Sequence, residues 1–563
     1  MATRRVTRIK LFAALLGSAL VGCSGSSTPD VAHVDAAADA ADSVVSPDAT
    51  ADDVAPTDAV VDTSATDITA PDTIAADMTT PDATTPDVSA LDVPAPDVST
   101  LDVIAPDALV PDAPASDTLV PDASAPDVNV DAGPRLSAWS RRFGEASDQD
   151  CFAIALDTAG DVFLSTYIIG TVNFGNGPLS GMDRIAIAKL GPTGDALWSR
   201  IYPNGGHQYS TGIAVASSGA IVIEGGFENT LNFGGAALVS AGGDDVFSAG
   251  LTAAGATSWS HRYGDASLYQ KGLDVAIDRG GNAVFVGELS GGATFGTTPF
   301  TGNNRDVFVV KLDPGGNHLW SHVWGDPAMQ VATGVAVDGS DNIVVVGRLD
   351  GRVDFGDGPV GSGQGLFLAR LSPSGAPTFV RTFATEQGQV MRSRVATDAA
   401  GNIYVAGSVL GAIDLGDGMI AGRGDFDVFV ARFDPTGRLV WHREFGDAMG
   451  QQMTDLAVNA AGDIALVGHF DGTVDFGGGP LTSRGGDDFV GGDAFVVRLN
   501  ADGSHRFSAR YGDAAAQRAQ SVAIDARGDV VVAGEFRGQI DLGTGTLTSA
   551  GGTDIFVARL PIP

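Results

Sequence analysis

A single unit of about 60 residues, repeated seven times, constrains this 563-residue chain more than any other feature. Each copy is anchored by an aromatic residue opening a short strand: Trp139, Trp198, Trp259, Trp320, Phe379, Trp441 and Phe507, at spacings of 59, 61, 61, 59, 62 and 66. An apolar strand follows and ends in an Asp-rich turn, as in Ile154-Ala155-Leu156-Asp157, Val335-Ala336-Val337-Asp338 and Val522-Ala523-Ile524-Asp525. A second strand comes next, such as Asn342 to Gly347, and then a glycine-punctuated excursion, such as Val353 to Pro359. A third strand, as in Asp306 to Leu312, leads through a tight Asp-Pro-Gly-Gly turn to the next aromatic strand. Proline presets the first turn dihedral and glycine accepts the left-handed one, which marks hairpins. Of the 76 glycines, 72 fall after residue 133, where these turns are.

Four short antiparallel strands per 60 residues is the content of one propeller blade, and radial closure removes the exposed edges that an open array would carry. The expected fold is all-β: a seven-bladed β-propeller over residues 134–563. The folded part opens with an aromatic strand, Trp139 to Phe143, and ends with a third strand at Leu560. The seventh sheet is therefore expected to close by pairing the N-terminal strand with the C-terminal three. These units resemble the seven-bladed β-propeller repeat family of bacterial exported proteins (the SBBP-type repeat), over about 425 residues. The resemblance implies a propeller and no particular activity. Blade two departs from it with Ala216-Ser217-Ser218-Gly219 where Asp is expected, and Phe379 and Phe507 replace Trp.

The first 133 residues read differently. Arg4, Arg5, Arg8 and Lys10 precede an apolar run, Leu11 to Val21, matching the charged and hydrophobic parts of an export signal. Leu20-Val21-Gly22-Cys23 resembles the bacterial lipoprotein box. That resemblance implies a signal peptide over 1–22, lipid attachment with acyl chains such as palmitate at Cys23, and, with Ser24 rather than Asp next, an outer-membrane destination. Residues 23–133 hold 23 Asp and no Glu, Lys or Arg. From Asp62 to Asp127 an Asp recurs at every fifth position. A period of five fits neither helix nor strand, so no apolar face forms, and the expectation is a disordered, acidic Pro/Asp/Ala-rich tether of about 110 residues. Isolated carboxylates on such a chain do not preorganise a calcium site.

Charge excludes one class of partner. Outside the first 22 residues both the tether and the body are acidic, so no clustered Lys/Arg surface for nucleic acid is expected. With two cysteines, Cys23 and Cys151, neither a disulfide framework nor a multi-cysteine metal site is available; Cys151 reads as a small buried hydrophobe. No metal, cofactor or catalytic residue is expected. The aromatic strands alternate ring, base, ring (Trp139, Arg141, Phe143; Trp259, His261, Tyr263; Trp441, Arg443, Phe445) on one face. This is read as blade-to-blade stapling, with a sugar-stacking platform as the alternative.

Loops after the aromatic strand and between the second and third strands emerge on one face. The candidate binding surface is an acidic rim there, formed by Asp265, Asp326, Asp354, Asp414, Asp447, Asp475, Asp513 and Asp541. The Gly485 to Asp493 segment is read as an insertion in blade six. The resulting expectation is a cell-envelope lipoprotein, anchored to the outer membrane or displayed at the cell surface. Its monomeric propeller binds an unidentified protein or glycan ligand. The alternative is a propeller enzyme of lyase or glycosidase type on the same face, distinguished by one asymmetric cluster of carboxylates and histidine at the channel mouth.

Overall fold

The computed structural model describes residues 136–562 apart from 204, 268–269, 387–388 and 486–491. The signal, Cys23, the tether and most of the blade-six insertion lie outside the described residues. Among the described residues the regular elements are all strands. They form seven antiparallel blades, six of four strands and one extended to six by the next blade's excursion hairpin, with three separate two-stranded hairpins at other excursions. The innermost strands are Gln149–Leu156, Gln208–Val215, Gln270–Ile277, Gln330–Val337, Val390–Thr397, Gln451–Val458 and Gln517–Ile524. Each packs beside the next, and the last returns to the first, so the blades close a ring around a central channel. The fold is the expected seven-bladed propeller.

Closure occurs where the sequence places it. The seventh sheet runs from Gln517–Ile524 through Val530–Phe536 and Asp554–Leu560 to Trp139–Phe143. Trp139 lies opposite Arg559 and Phe143 opposite Ile555. The two middle strands of each blade are runs of Val, Ile, Phe and Ala with both faces buried, as expected of strands sandwiched between neighbours. Their side chains fill seven apolar clusters, one at each blade-to-blade interface.

The outermost strands add two staples per junction. The indole N–H groups of Trp139, Trp198, Trp259, Trp320 and Trp441 donate to carbonyls in the next blade's last turn, at 2.8 to 3.1 Å. Phe379 and Phe507 lack that donor; Phe379 instead packs over Gly437 of the next turn. The base two residues on reaches the same turn: Arg141 to the Thr193 carbonyl at 3.1 Å, and His261 Nε2 within 2.8 Å of the Gly316 carbonyl. Arg141, Arg381 and Arg443 also lie 5.2 to 5.6 Å from ring centroids, contacts worth roughly 0.5 to 1 kcal/mol each. The third residue of each triplet meets the next blade's excursion, as in Phe143–Phe174, Tyr202–Phe233 and Trp324–Phe355 at 4.7 to 5.0 Å. These rings bind blade to blade.

The face opposite the loops is built from the tight turns. In Asp398 to Asn402 the Asp carboxylate accepts N–H groups from Ala400 and Asn402, and Gly401 sits at φ 78°. Asp341 occupies the glycine position in blade four at φ 61°, a conformation Asp tolerates. Beside these turns lies a buried ion pair from the third strand: Lys311–Asp278 at 2.8 Å, Arg370–Asp338, and Arg559–Asp525. Blade two has neither partner, because Ala216 replaces the acid and Gly250 stands at the base position. The Trp259 indole closes over Gly250, so the departure noted in the sequence is a matched loss.

Candidate functional site at the loop-face mouth of the channel

The eight carboxylates of the expected rim divide into two sets. Asp265, Asp326, Asp447 and Asp513 follow the outermost strands, and both oxygens of each are engaged inside the protein. Asp326 Oδ1 accepts from Ala328 N at 2.7 Å and Gln330 Nε2 at 2.7 Å, while Oδ2 accepts from Arg352 N at 3.0 Å. Asp265, Asp447 and Asp513 repeat the pattern with Gln270, Gln451 and Gln517. Against the cost of burial, these bonds hold the Asp265 and Asp326 carboxyls below their ordinary range. They act as clips between the entry loop and the excursion.

Asp354, Asp414, Asp475 and Asp541 cap the excursion tips, each accepting the N–H groups two and four residues on. The tips fold outward onto the outermost strands. Gly477 lies against His505, and Asp417 is 3.4 Å from His442. The eight thus fall into internal clips beside the inner strands and capped turns at the excursion tips.

Asymmetry lies instead on the inner strands. Each carries a bulge near its loop-face end. The residue before the bulge is small or apolar and buried in six blades: Cys151, Ser210, Gly272, Ala332, Met453 and Ala519. At the aligned position in blade five, inside a two-residue bulge, stands Arg392, with φ at 40°, a strained value for a side chain other than glycine. That backbone turns Ser393 into the wall, where its Oγ lies 2.7 Å from Thr333 Oγ1, and sends Arg392 into the channel. Its Nη1 donates to Gln520 Oε1 of blade seven at 3.2 Å, passing over blade six. Water reaches the guanidinium, although protein surrounds it.

Around it stand residues that occur once. Gln520 Nε2 donates to Glu535 Oε1 at 3.1 Å, and Arg518 Nη1 is 3.6 Å from the same oxygen. Asp150, from blade one, shares a hydrogen bond with Glu535. Burial, and then that neighbouring carboxylate, push the Asp150 carboxyl up to about 9, so Asp150 holds a proton at neutral pH. His469 is 8% exposed, and its Nδ1 has no partner, nor has Arg518 Nε. Burial, with Arg518 and Arg392 nearby, holds His469 well below its ordinary value and hence neutral. Deeper in the channel Arg394 lies between Asp274 and Asp455. Its Nε is 3.7 Å from Asp455 Oδ1, and it opposes the burial that takes Asp274 up to about 6. Asp274 and Asp455 also accept the N–H groups of Val335 and Val522 on the following blades, at 2.9 Å each, tying the ring.

Next to Asp150 the mouth becomes aromatic. Phe152, Tyr167, His207 and Tyr209 run in an arc with centroids 5.5 to 6.2 Å apart. Asp150 is the cross-strand partner of Tyr167, so the charged and aromatic halves adjoin. None of these channel residues was expected from the sequence. The available signal was Arg392, the only charged residue at its position when the seven inner strands are aligned. Cys151 is fully buried, and burial drives its thiol upward into the inert range.

No protein-family model matches the chain. The chain is 26% identical over 256 residues to an uncharacterized WD repeat-containing protein of Acanthamoeba polyphaga mimivirus, covering 38% of this chain and 18% of that protein. It is 28% identical over 189 residues to the regulatory protein FlaEY of Caulobacter vibrioides, covering 33% and 20%. It thus spans about a fifth of the length of these curated relatives. The Pan2 WD40 domain of Neurospora crassa matches with a TM-score of 0.34 at 12% identity, over 62% of this chain and 89% of that one.

Proposed function

We propose that this chain is an exported envelope lipoprotein whose propeller is a scaffold binding a protein or glycan at the loop-face mouth of its channel. Arg4 to Cys23 support the address, with lipid on Cys23 and Ser24 directing the protein to an outer membrane. Residues 23–133 serve as the tether. The observation that carries the binding role is the group Asp150, Arg392, His469, Arg518 and Glu535, which breaks the sevenfold pattern where a ligand can enter. Residues repeated in every blade serve the ring; residues found once at the channel mouth do not.

Two measurements test this. The full chain, expressed in a Gram-negative host, is expected to fractionate with membranes and to become soluble as Cys23→Ser. A glycan array and a pull-down with the full chain should each be compared with Arg392→Gln; binding that ignores this change would place the site elsewhere.

One arrangement favours an enzymatic reading: Asp150, its carboxyl raised by burial and by hydrogen bonding to Glu535, stands at the same mouth as the neutral His469, the carboxylates and histidine that would mark catalysis. Turnover of a bound glycan by the full chain, abolished in Glu535→Gln, would establish it over simple binding.

A further inference from the structure

We infer that the mouth takes the carboxylate of a uronate sugar within a glycan, with Arg392 and Arg518 on the carboxylate and Phe152 and His207 against the sugar ring. This rests on the mouth being a binding surface and adds the ligand's chemistry.

The first ground is unused donor capacity. Arg392 and Arg518 converge on the Gln520–Glu535 pair, and Arg392 makes only the 3.2 Å bond to Gln520 among its described contacts. Arg518 Nε is buried without an acceptor, and His469 Nδ1, on a side chain more than nine-tenths buried, has no hydrogen-bond partner. An unpaired buried donor is costly, and a bound anion would offset that cost. A planar carboxylate matches the guanidinium fork.

The second ground is what surrounds those donors. Glu535 and Asp150 stand on the other side and repel a doubly charged group such as phosphate, while offering hydrogen bonds to hydroxyls. The ligand is thereby singly charged and hydroxylated. Beside them Phe152 and His207 are partly exposed, braced by the buried Tyr167 and Tyr209. Rings of that kind pack against the C–H face of a sugar. A carboxylate, hydroxyls and a stacking face together describe a uronate.

The test is calorimetric titration of the full chain with glucuronate- and galacturonate-containing trisaccharides, their methyl esters, and a short peptide with a free C-terminal carboxylate. Binding of at least one uronate is expected, weakened at least tenfold by esterification, by Arg392→Gln and by Phe152→Ala. Arg518→Gln should act likewise. If it unfolds the protein, Arg392→Gln decides alone, because that side chain is water-exposed and glutamine leaves the backbone as it is. Equal affinity for acid and ester, preference for the peptide, or no uronate binding overturns the inference. If another ligand from the array or pull-down still loses affinity in Arg392→Gln, the mouth remains a binding surface and only the uronate assignment fails.

Discussion

The two ends of the channel follow opposite rules. At the turn end, blade after blade repeats one solution: an Asp that closes its own turn, a left-handed residue, and a buried Lys or Arg on the third strand. Blade two departs by lacking acid and base together, and blade six carries Asn459 at the acid position, its Arg498 lying 3.5 Å from Asp463 instead. At the loop end the excursions and Gln clips also repeat, but the inner-strand side chains do not. Repetition marks what every junction needs to stay closed. Divergence at one aligned position, carrying backbone strain, marks what the ring needs only once.

The strongest way to break this comparison is to remove the closure shared by both ends. Deleting residues 139–143 strips the outer strand from blade seven together with Trp139 and Phe143, both about 6% exposed. Burial of those two rings alone is worth roughly 3 to 6 kcal/mol. The expected outcome is loss of a cooperative melting transition and association through the freed edge, read by calorimetry and size-exclusion chromatography.

Next in size is the turn-end ion pair. Asp338→Ala or Arg370→Ala leaves a buried charge unpaired and should cost about 3 to 5 kcal/mol in urea unfolding. The double change to an apolar pair should cost less than either single one. Equal or additive losses would show that blade two is a defect and not a matched alternative.

At the loop end the signs reverse. Arg392→Gly should raise stability by about 1 kcal/mol or more, because glycine accepts φ 40° freely, while ligand binding falls. Asp150→Asn should change the pH profile. The folded protein keeps a proton on Asp150 up to about pH 9, whereas the unfolded chain releases it near its ordinary value of 3.8. Stability from this group is thus full below about pH 4, declines as pH rises, and is lost above about pH 9. Urea midpoints at pH 5, 7 and 9 should fall less steeply in the variant. The smallest effect is expected at the excursion tips, where Asp541→Ala removes an exposed turn bond and should cost less than about 1 kcal/mol.

How much was legible follows from what each feature depends on. The blade count, the closing strand and the stapling role of the aromatic triplets were readable because each rests on residues recurring at fixed spacing. The split of the eight rim carboxylates was not legible, because spacing shows which loops share a face and not which bonds close a twelve-residue excursion such as Asn229–Ser240. The channel cluster went unread because Asp150, Arg392, His469, Arg518 and Glu535 lie on four blades, with up to 385 residues between the outermost two.

By itself, then, the sequence determined the strands, their grouping in sevens and the seam where the ring shuts. Those follow from local periodicity, turn chemistry and the cost of an unpaired edge. Only the tertiary structure decided which side chains meet across the channel, because curvature and a single flipped backbone angle at Arg392 set distances that no linear spacing encodes.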